Sequence, residues 1–503
     1  MRRNRAVHLL FAALVGVALY FVALPEAGAV PSFSRKYHTS CQTCHTVYPV
    51  LNAFGEAFRR DGYRFPSNDG SLDSDVEKAA AVELGQEQYK TLFPAAVFPD
   101  KIAEAVPLSV WLNGGLAVNL PNSAAADGAQ NTFAWGGILA EMHVFGAGAF
   151  SDTVTYMAQL TLETDFGDPA GTFDIETGYL LWNDIVGPSH LINLWVGRLF
   201  APQLTSYGLH SSYLNDSVMP GVSVGALYNS TAGLTTGLGH TDGAELNGIA
   251  GHRVGYSLGW IGSTNAPGLS TPNSEDVYAH LGVKLGGMSL DGEGKGGNAP
   301  EDAAKPWNET AVTLDVFGYH GIARLDNGTG NIAGGAATPV RQDDRISTLG
   351  GLIHAQLGGL VVMAGVNVEH HDRPYPGTAA IATTSGGVGG VFNGVPDFTS
   401  ATGIVQYDEI DYIVWPWFVP GVRAEYTHAS VEGGSDVSLL RIIPGIAMLA
   451  RPNIKVVVTG DLEQGTGVPV TGSWGAAGGM VAPDPGKSKF EAEQINAVVG
   501  VAF

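Results

Sequence analysis

Cys41 and Cys44 stand three positions apart, and His45 follows directly, in the run Ser40-Cys41-Gln42-Thr43-Cys44-His45. Two thiols at this spacing can each bond one vinyl group of a porphyrin, and the adjoining imidazole can ligate its iron. The pattern is that of a c-type haem attachment site. Cys41 and Cys44 are the expected covalent anchors, His45 the proximal iron ligand, and one covalently bound haem c the expected cofactor. These are the only two cysteines among 503 residues, so a disulfide framework is excluded. An ordinary Cys-x-x-Cys redox pair would not need the histidine, and a zinc site would lack its second half.

The flanking segments set this motif in a compartment. Arg2, Arg3 and Arg5 are followed by an apolar stretch from Leu9 to Leu24 and by Ala27-Gly28-Ala29. This predicts a secretory signal peptide over 1–29, cleaved before Val30. After the motif, Leu51, Phe54 and Phe58 recur at helical spacing, and Gly62-Tyr63 punctuates their end. Residues 30–104 thus read as a haem segment followed by a linker or plug.

The rest of the chain reads as strands. Charged residues make up only 15%, glycines number 69, and no later apolar run is long enough for a transmembrane helix. Short alternating segments instead recur to the end, which predicts an all-β, outer-membrane antiparallel β-barrel over 105–503. The candidate segments, from 106–118 to 490–503, come to an odd number where an even one is expected. The irregularity lies between 200 and 310, where 221–229, 232–240, 250–262 and 276–285 follow one another. About sixteen strands is the expectation. The last strand sets Ile495, Ala497, Val499, Val501 and Phe503 on one face, which resembles the assembly signal of bacterial outer-membrane barrels.

Phase along the strands divides lumen from lipid. Val154, Tyr156, Ala158, Leu160 and Leu162 are assigned to lipid, and Thr155, Met157, Gln159, Thr161 and Glu163 to the lumen. Glu141, His143 and Phe145 share the lumen face of the preceding strand, while Tyr412, Trp415 and Trp417 suit an aromatic girdle. Lumen-phased acids, namely Glu141, Glu163, Asp315, Glu369, Asp461 and Glu463, offer hard oxygens to a cation such as Fe²⁺. A generally polar lumen is the plainer reading of each. The formal charge of −22 gives no support to nucleic-acid binding.

A segment as short as 30–66 cannot bury a porphyrin unaided. The economical arrangement inserts it into the barrel, where it plugs the lumen and borrows the wall as a core. No methionine occurs between Val30 and Glu141. A sixth iron ligand would therefore be His38, only three residues before Cys41, or a lumen-phased barrel residue: His143, Met157, His354 or Met363. Of these, His143 and Met157 are favoured.

Taken together, the stretch Val30-Pro31-Ser32-Phe33-Ser34-Arg35, then Cys41 to His45, then Pro49, Leu51, Asn52, Phe54-Gly55, Phe58 and Gly62-Tyr63 resembles the fused outer-membrane monohaem cytochrome c–porins of iron-oxidising bacteria. The resemblance is carried by the haem stretch. It implies a protein of the bacterial outer membrane, in contact with lipid, that takes electrons from an extracellular reductant such as Fe(II) and passes them to a periplasmic cytochrome or other carrier. That would be an iron-oxidase activity of the Fe(II):cytochrome c oxidoreductase type. Two rival expectations are a diffusion porin whose haem segment is a structural plug or sensor, and a soluble periplasmic haem enzyme.

Overall fold

The structure, a computed structural model, describes residues 32–37, 39–64, 108–120, 132–135, 141–150, 153–163, 172–186, 190–200, 212–214, 240–262, 276–292, 307–326, 341–372, 400–431, 436–466 and 489–502. The signal-peptide reading, His38, the 67–104 linker and Phe503 fall outside them.

Two short helices open the described chain, α1 (Ser32–Tyr37) and α2 (Ala53–Arg60). The strands are β1 (Leu108–Leu120), β2 (Thr132–Trp135), β3 (Glu141–Ala149), β4 (Val154–Glu163), β5 (Thr172–Val186), β6 (Ile192–Phe200), β7 (His240–Ala250), β8 (Val254–Ile261), β9 (Asp276–Gly286), β10 (Glu309–Asp326), β11 (Arg341–Gly358), β12 (Leu360–His371), β13 (Ala401–Tyr412), β14 (Phe418–Val431), β15 (Val437–Arg451), β16 (Ile454–Thr466) and β17 (Lys489–Ala502). Each pairs antiparallel with its neighbour, and β17 returns to β1 along the register Trp111↔Ala502 to Leu120↔Glu493. β2 and β3 pair successive stretches of β1 and are two pieces of one interrupted strand. The result is a closed barrel of 16 antiparallel strands.

This resolves the irregularity between 200 and 310. A strand occupies His240–Ala250, which the alternation did not mark, and Gly251 at φ 57° turns it directly into β8. The β7 sequence HTDGAELNGIA carries few apolar residues, so its signal was weak. The expected segment 221–229, and all but the last residue of 232–240, lie outside the described residues.

The barrel is apolar outside and polar inside. On β9, Asp276, Tyr278, His280 and Lys284 are buried, while Val277, Leu281 and Leu285 are exposed. On β13, Tyr407, Glu409 and Asp411 are buried and Ile404 and Ile410 exposed. A water-soluble β-domain would bury its leucines, so the soluble-enzyme expectation does not fit. In lipid every backbone polar group must be paired within the protein, and a closed barrel achieves this without an edge. Gly500 and Ala502 stand opposite Asn113 and Trp111, whose side chains point inward, so the pleat turns Ile495, Val499 and Val501 to lipid.

Exposed aromatics mark both rims. Trp415 and Trp417 stack at 5.1 Å beside Tyr412 in the β13–β14 turn. Phe173 and Trp182, both exposed, sit nine residues apart on β5. That spacing spans about 30 Å of strand, or about 23 Å along the membrane normal at a 40° tilt. It matches the height of a barrel's apolar band, about 25 Å.

Connections after β3, β5, β7, β11, β13 and β15 are short, and those after β4, β6, β8, β10, β12 and β16 are longer. The exceptions are 287–308 after β9, long on the short-turn side, and 432–436 after β14, short on the other. Short turns face the periplasm in such barrels.

The outward face yields a direct test. Val316 lies exposed on β10 between buried Asp315 and Phe317. Val316→Lys should destabilise the barrel by about 2–4 kcal/mol, read by denaturant unfolding in lipid bilayers.

Candidate functional site

Cys41, Cys44 and His45 lie on a single 3-10 turn, Cys41–Thr43, in which the Cys44 and His45 amides both donate to the Cys41 carbonyl at 3.3 and 3.0 Å. Both thiols are free and half-buried, with Ser34 Oγ 3.8 Å from Cys41 Sγ. Burial, and then the neighbouring Cys41, push the Cys44 thiol up to about 12.

His45 is oriented by its own loop. Its Nδ1 lies 3.1 Å from the Pro49 carbonyl, which can only accept, so Nδ1 carries the proton and Nε2 keeps its lone pair. A backbone carbonyl holding one imidazole nitrogen is the usual way a protein aims the other at a metal. Burial lowers the His45 pKa to about 4, against the opposing backbone bonds of Pro49 and Val50. The ring is therefore neutral at ordinary pH, the form that can ligate.

Asn52 closes the loop. Its Oδ1 accepts from the Gly55 amide at 3.0 Å, capping α2, and its Nδ2 donates to the carbonyls of Gln42 and Thr43 at 3.1 and 3.0 Å. Its own amide donates to the Cys44 carbonyl at 2.9 Å. The helix then passes so close to the turn that a Cβ on Gly55 would collide with the Cys44 carbonyl oxygen. Phe58 of α2 packs edge-on against Phe33 of α1 at 4.9 Å and against Tyr37 at 5.7 Å, and Tyr63 stacks on Phe33 at 5.9 Å. These rings are the segment's only sizeable core of its own among the described residues.

The barrel supplies the rest, and at one end. Val47 is fully buried among Tyr213, Val361, Ile413, Val419, Ala447 and Val457. All of these except Tyr213 lie at or next to short turns. Tyr48 meets Trp111 near the start of β1 at 5.5 Å. Tyr63 and Tyr179 hydroxyls lie 2.9 Å apart, and Arg64 bridges Asp61 at 2.6 Å and Asp184 at 2.9 Å. His190, in the β5–β6 turn, lies 3.2 Å from Asp61. Gly62, at φ 67°, is pressed against Asn183 and Thr155. The segment therefore occupies the short-turn mouth of the lumen. Ser212 and Tyr213, from the 201–239 connection, reach the opposite wall, where Ser212 Oγ donates to Glu409 at 2.7 Å.

The lumen acids anticipated from strand phase are tied to bases. Glu141 lies 2.8 Å from His143, Asp315 2.7 Å from His280, and Glu369 3.6 Å from His371. Arg441 pairs with Asp461, with Glu463 at 3.0 Å and with Glu425 at 2.8 Å, and Arg423 joins Glu425 at 2.7 Å to Glu409 at 3.2 Å. Glu163 lies outside the described side chains. Among the described residues no group of three or more His, Cys, Asp or Glu side chains is arranged to hold a metal ion.

The expected sixth-ligand residues are scattered. His143 stacks on Trp111 at 4.8 Å, with Nδ1 2.9 Å from Thr161 Oγ1. Met157 packs against Tyr179, Leu181, Trp195 and Leu199. His354 and Met363 instead line a cavity beside the motif, together with Thr46, Val50 and Leu51. Strand phase showed all four to face inward. It carried no information on their position around the ring.

No protein-family model matches the chain, and no characterised protein matches it by sequence. Among solved structures it is similar to OmpT of Vibrio cholerae, with 11% identity, a TM-score of 0.47, and 79% of this chain and 97% of that one covered. It is also similar to an anion-selective porin from Comamonas acidovorans, with 13% identity, a TM-score of 0.47, and coverage of 79% and 99%. The outer membrane channel DcaP of Acinetobacter baumannii gives 8% identity, a TM-score of 0.43, and coverage of 79% and 97%. The fold itself, a porin-like barrel with a polar lumen, stands on the geometry above.

Two outcomes follow from the seating of the segment. Asn52→Ala removes a helix cap, a loss of about 0.5–2 kcal/mol, and also frees the motif turn. Limited proteolysis of the folded protein should then cut near the motif faster. Burial raises the Asp61 pKa from 3.8 to about 7 despite His190 and Arg64. A raised carboxyl favours the docked state in its protonated form, so its contribution is full below 3.8 and is lost as pH rises through about 7. Protease resistance of the segment should fall over that window, and Asp61→Asn should flatten the dependence.

Proposed function

We propose that the chain is an outer-membrane electron conduit. In this reading Cys41, Cys44 and His45 would hold a c-type haem, whose redox chemistry would serve transfer of electrons from an extracellular reductant, Fe(II) foremost, to a periplasmic carrier. The observation that carries the reading is the disposition of His45. Its Nδ1 is held by the Pro49 carbonyl and its Nε2 is left to a metal, on the same turn as two free thiols. The donor set fits the group: two thiols for the porphyrin vinyls and a neutral imidazole for the iron. When bound, the haem supplies one-electron redox chemistry.

The chain's own residues do the rest. Cys41 and Cys44 would hold the porphyrin through its vinyl groups, and the Pro49 carbonyl holds the His45 tautomer. Asn52 keeps turn and helix in one register. Val47 and the short-turn wall exclude water from the seat. The segment stands at the mouth that faces the periplasm in barrels of this type, with a polar lumen leading away to the longer loops. A donor metal can thus stay on the outer side, where its oxidised form does not precipitate in the cell.

The test is the visible absorption of the purified, oxidised protein before and after anaerobic Fe²⁺. Reduced-cytochrome bands should appear with Fe²⁺ and be missing from Cys44→Ala and His45→Ala. A haem reduced by dithionite and untouched by Fe²⁺ would remove iron as the donor. Steady ion conductance through the barrel in planar bilayers would favour a diffusion porin with a structural plug instead.

A further inference from the structure

His45 is aimed by the Pro49 carbonyl, so whatever fixes Pro49 also fixes His45. Pro49 lies in a tight turn. The Val50 amide donates to the Val47 carbonyl at 2.9 Å, and the Thr46 amide donates to the Val50 carbonyl at 3.1 Å. Leu51 then bridges back to His45. These bonds shape the turn, but all of them run within the segment. None ties the turn to the barrel.

That tie comes from Ser212, Tyr213 and Leu214, in the connection between β6 and β7. The Tyr213 hydroxyl is hydrogen-bonded to the side chain of Thr46, the residue that follows His45. Its ring is buried beside Val47, in one cluster with Val361, Ile413, Val419, Ala447 and Val457 of the wall. Tyr213 thus touches two of the five residues of the turn, through a polar contact and an apolar one.

Tyr213 is itself pinned to the wall. Ser212, fully buried, donates through Oγ to the Glu409 carboxylate on β13, 2.7 Å from Oε1. The Tyr213 amide donates to the same Oε1 at 3.2 Å, and the Leu214 amide donates to Ser212 Oγ at 3.2 Å. Arg423 on β14 holds Glu409 at 3.2 Å. Leu214 lies so close over β15 that a Cβ on Gly445 would stand 2.9 Å from its Cδ2. A buried carboxylate is tolerated only when it is paired and hydrogen-bonded, and these donors meet that demand. The hook is therefore as fixed as the wall that carries it.

We infer that Tyr213 is a positioning residue for His45. It holds the Thr46–Val50 turn against the wall, and so fixes the Pro49 carbonyl that decides which imidazole nitrogen is left for a metal. Partners one step behind a metal ligand commonly set its orientation and basicity. The inference rests on the haem reading for what His45 binds, and on the contacts alone for the brace.

The bland alternative is a tyrosine that only fills space in the wall. Tyr213→Phe keeps the ring beside Val47 and removes the hydroxyl bond, whereas Tyr213→Ala removes both. The full-length protein in detergent, its β content checked by circular dichroism, would be followed by hydrogen exchange over residues 45–52 and by redox titration. Exchange of the Thr46 and Val50 amides should quicken about fivefold in Tyr213→Phe, as expected for one hydrogen bond, and further in Tyr213→Ala. The midpoint potential should move in both variants, more in Tyr213→Ala, with covalent haem retained. Unchanged exchange in Tyr213→Ala would overturn the brace. Faster exchange at an unmoved potential would overturn the role toward His45. Absence of covalent haem from the intact-protein mass would overturn the haem reading, and the exchange result would still decide the brace.

Discussion

A bilayer offers no hydrogen bonds, and the rest of this structure depends on that. Every strand must find two partners, so the sheet closes on itself through β1 and β17. Closure turns the pattern of a soluble core inside out. Leucines and valines face lipid, and the polar side chains are gathered in a lumen where they must satisfy one another. The Arg423–Arg441 ladder with Glu409, Glu425, Asp461 and Glu463 is the consequence. Such pairs do not drive folding, because desolvation offsets most of their attraction. Once formed they are costly to break singly, which keeps the lumen wall rigid.

That wall is what a segment of some thirty residues lacks. α1, α2 and the loop between them own one small ring cluster, Phe33, Tyr37, Phe58 and Tyr63. Their apolar Val47 is buried against the barrel instead. Val47 alone, wholly buried among wall residues and Tyr213, gains about 1.5–3 kcal/mol. Polar tethers at the rim, Arg64 to Asp184 and Tyr63 to Tyr179, fix the angle at which the segment sits. Plug and barrel are therefore one folding unit at the mouth, and a prosthetic group between them would be enclosed by both.

Much of this was legible along the chain. The alternation in the 139–163 hairpin told lumen from lipid, and the cysteine spacing with its histidine marked the motif. β7 was not legible, because a lumen strand rich in glycine and acid, HTDGAELNGIA, has too few apolar positions to show a period of two. Depth and azimuth were not legible either. Glu141 and Asp461 read only as lumen-phased acids until register set them beside His143 and Arg441. His143 and Met363 read alike as inward-facing, and only ring order places one on β3 and the other across the lumen beside the motif.

The central claim is that electrons, and not iron, cross the membrane through this chain. The direct measurement uses sealed liposomes carrying the protein, a redox-active acceptor trapped inside, and Fe²⁺ outside without oxygen. Reduction of the trapped acceptor with no iron found in the lumen of the vesicles is the expected result, and it should depend on His45. Reduction that tracks iron entry, or that persists equally in His45→Ala, would contradict the account.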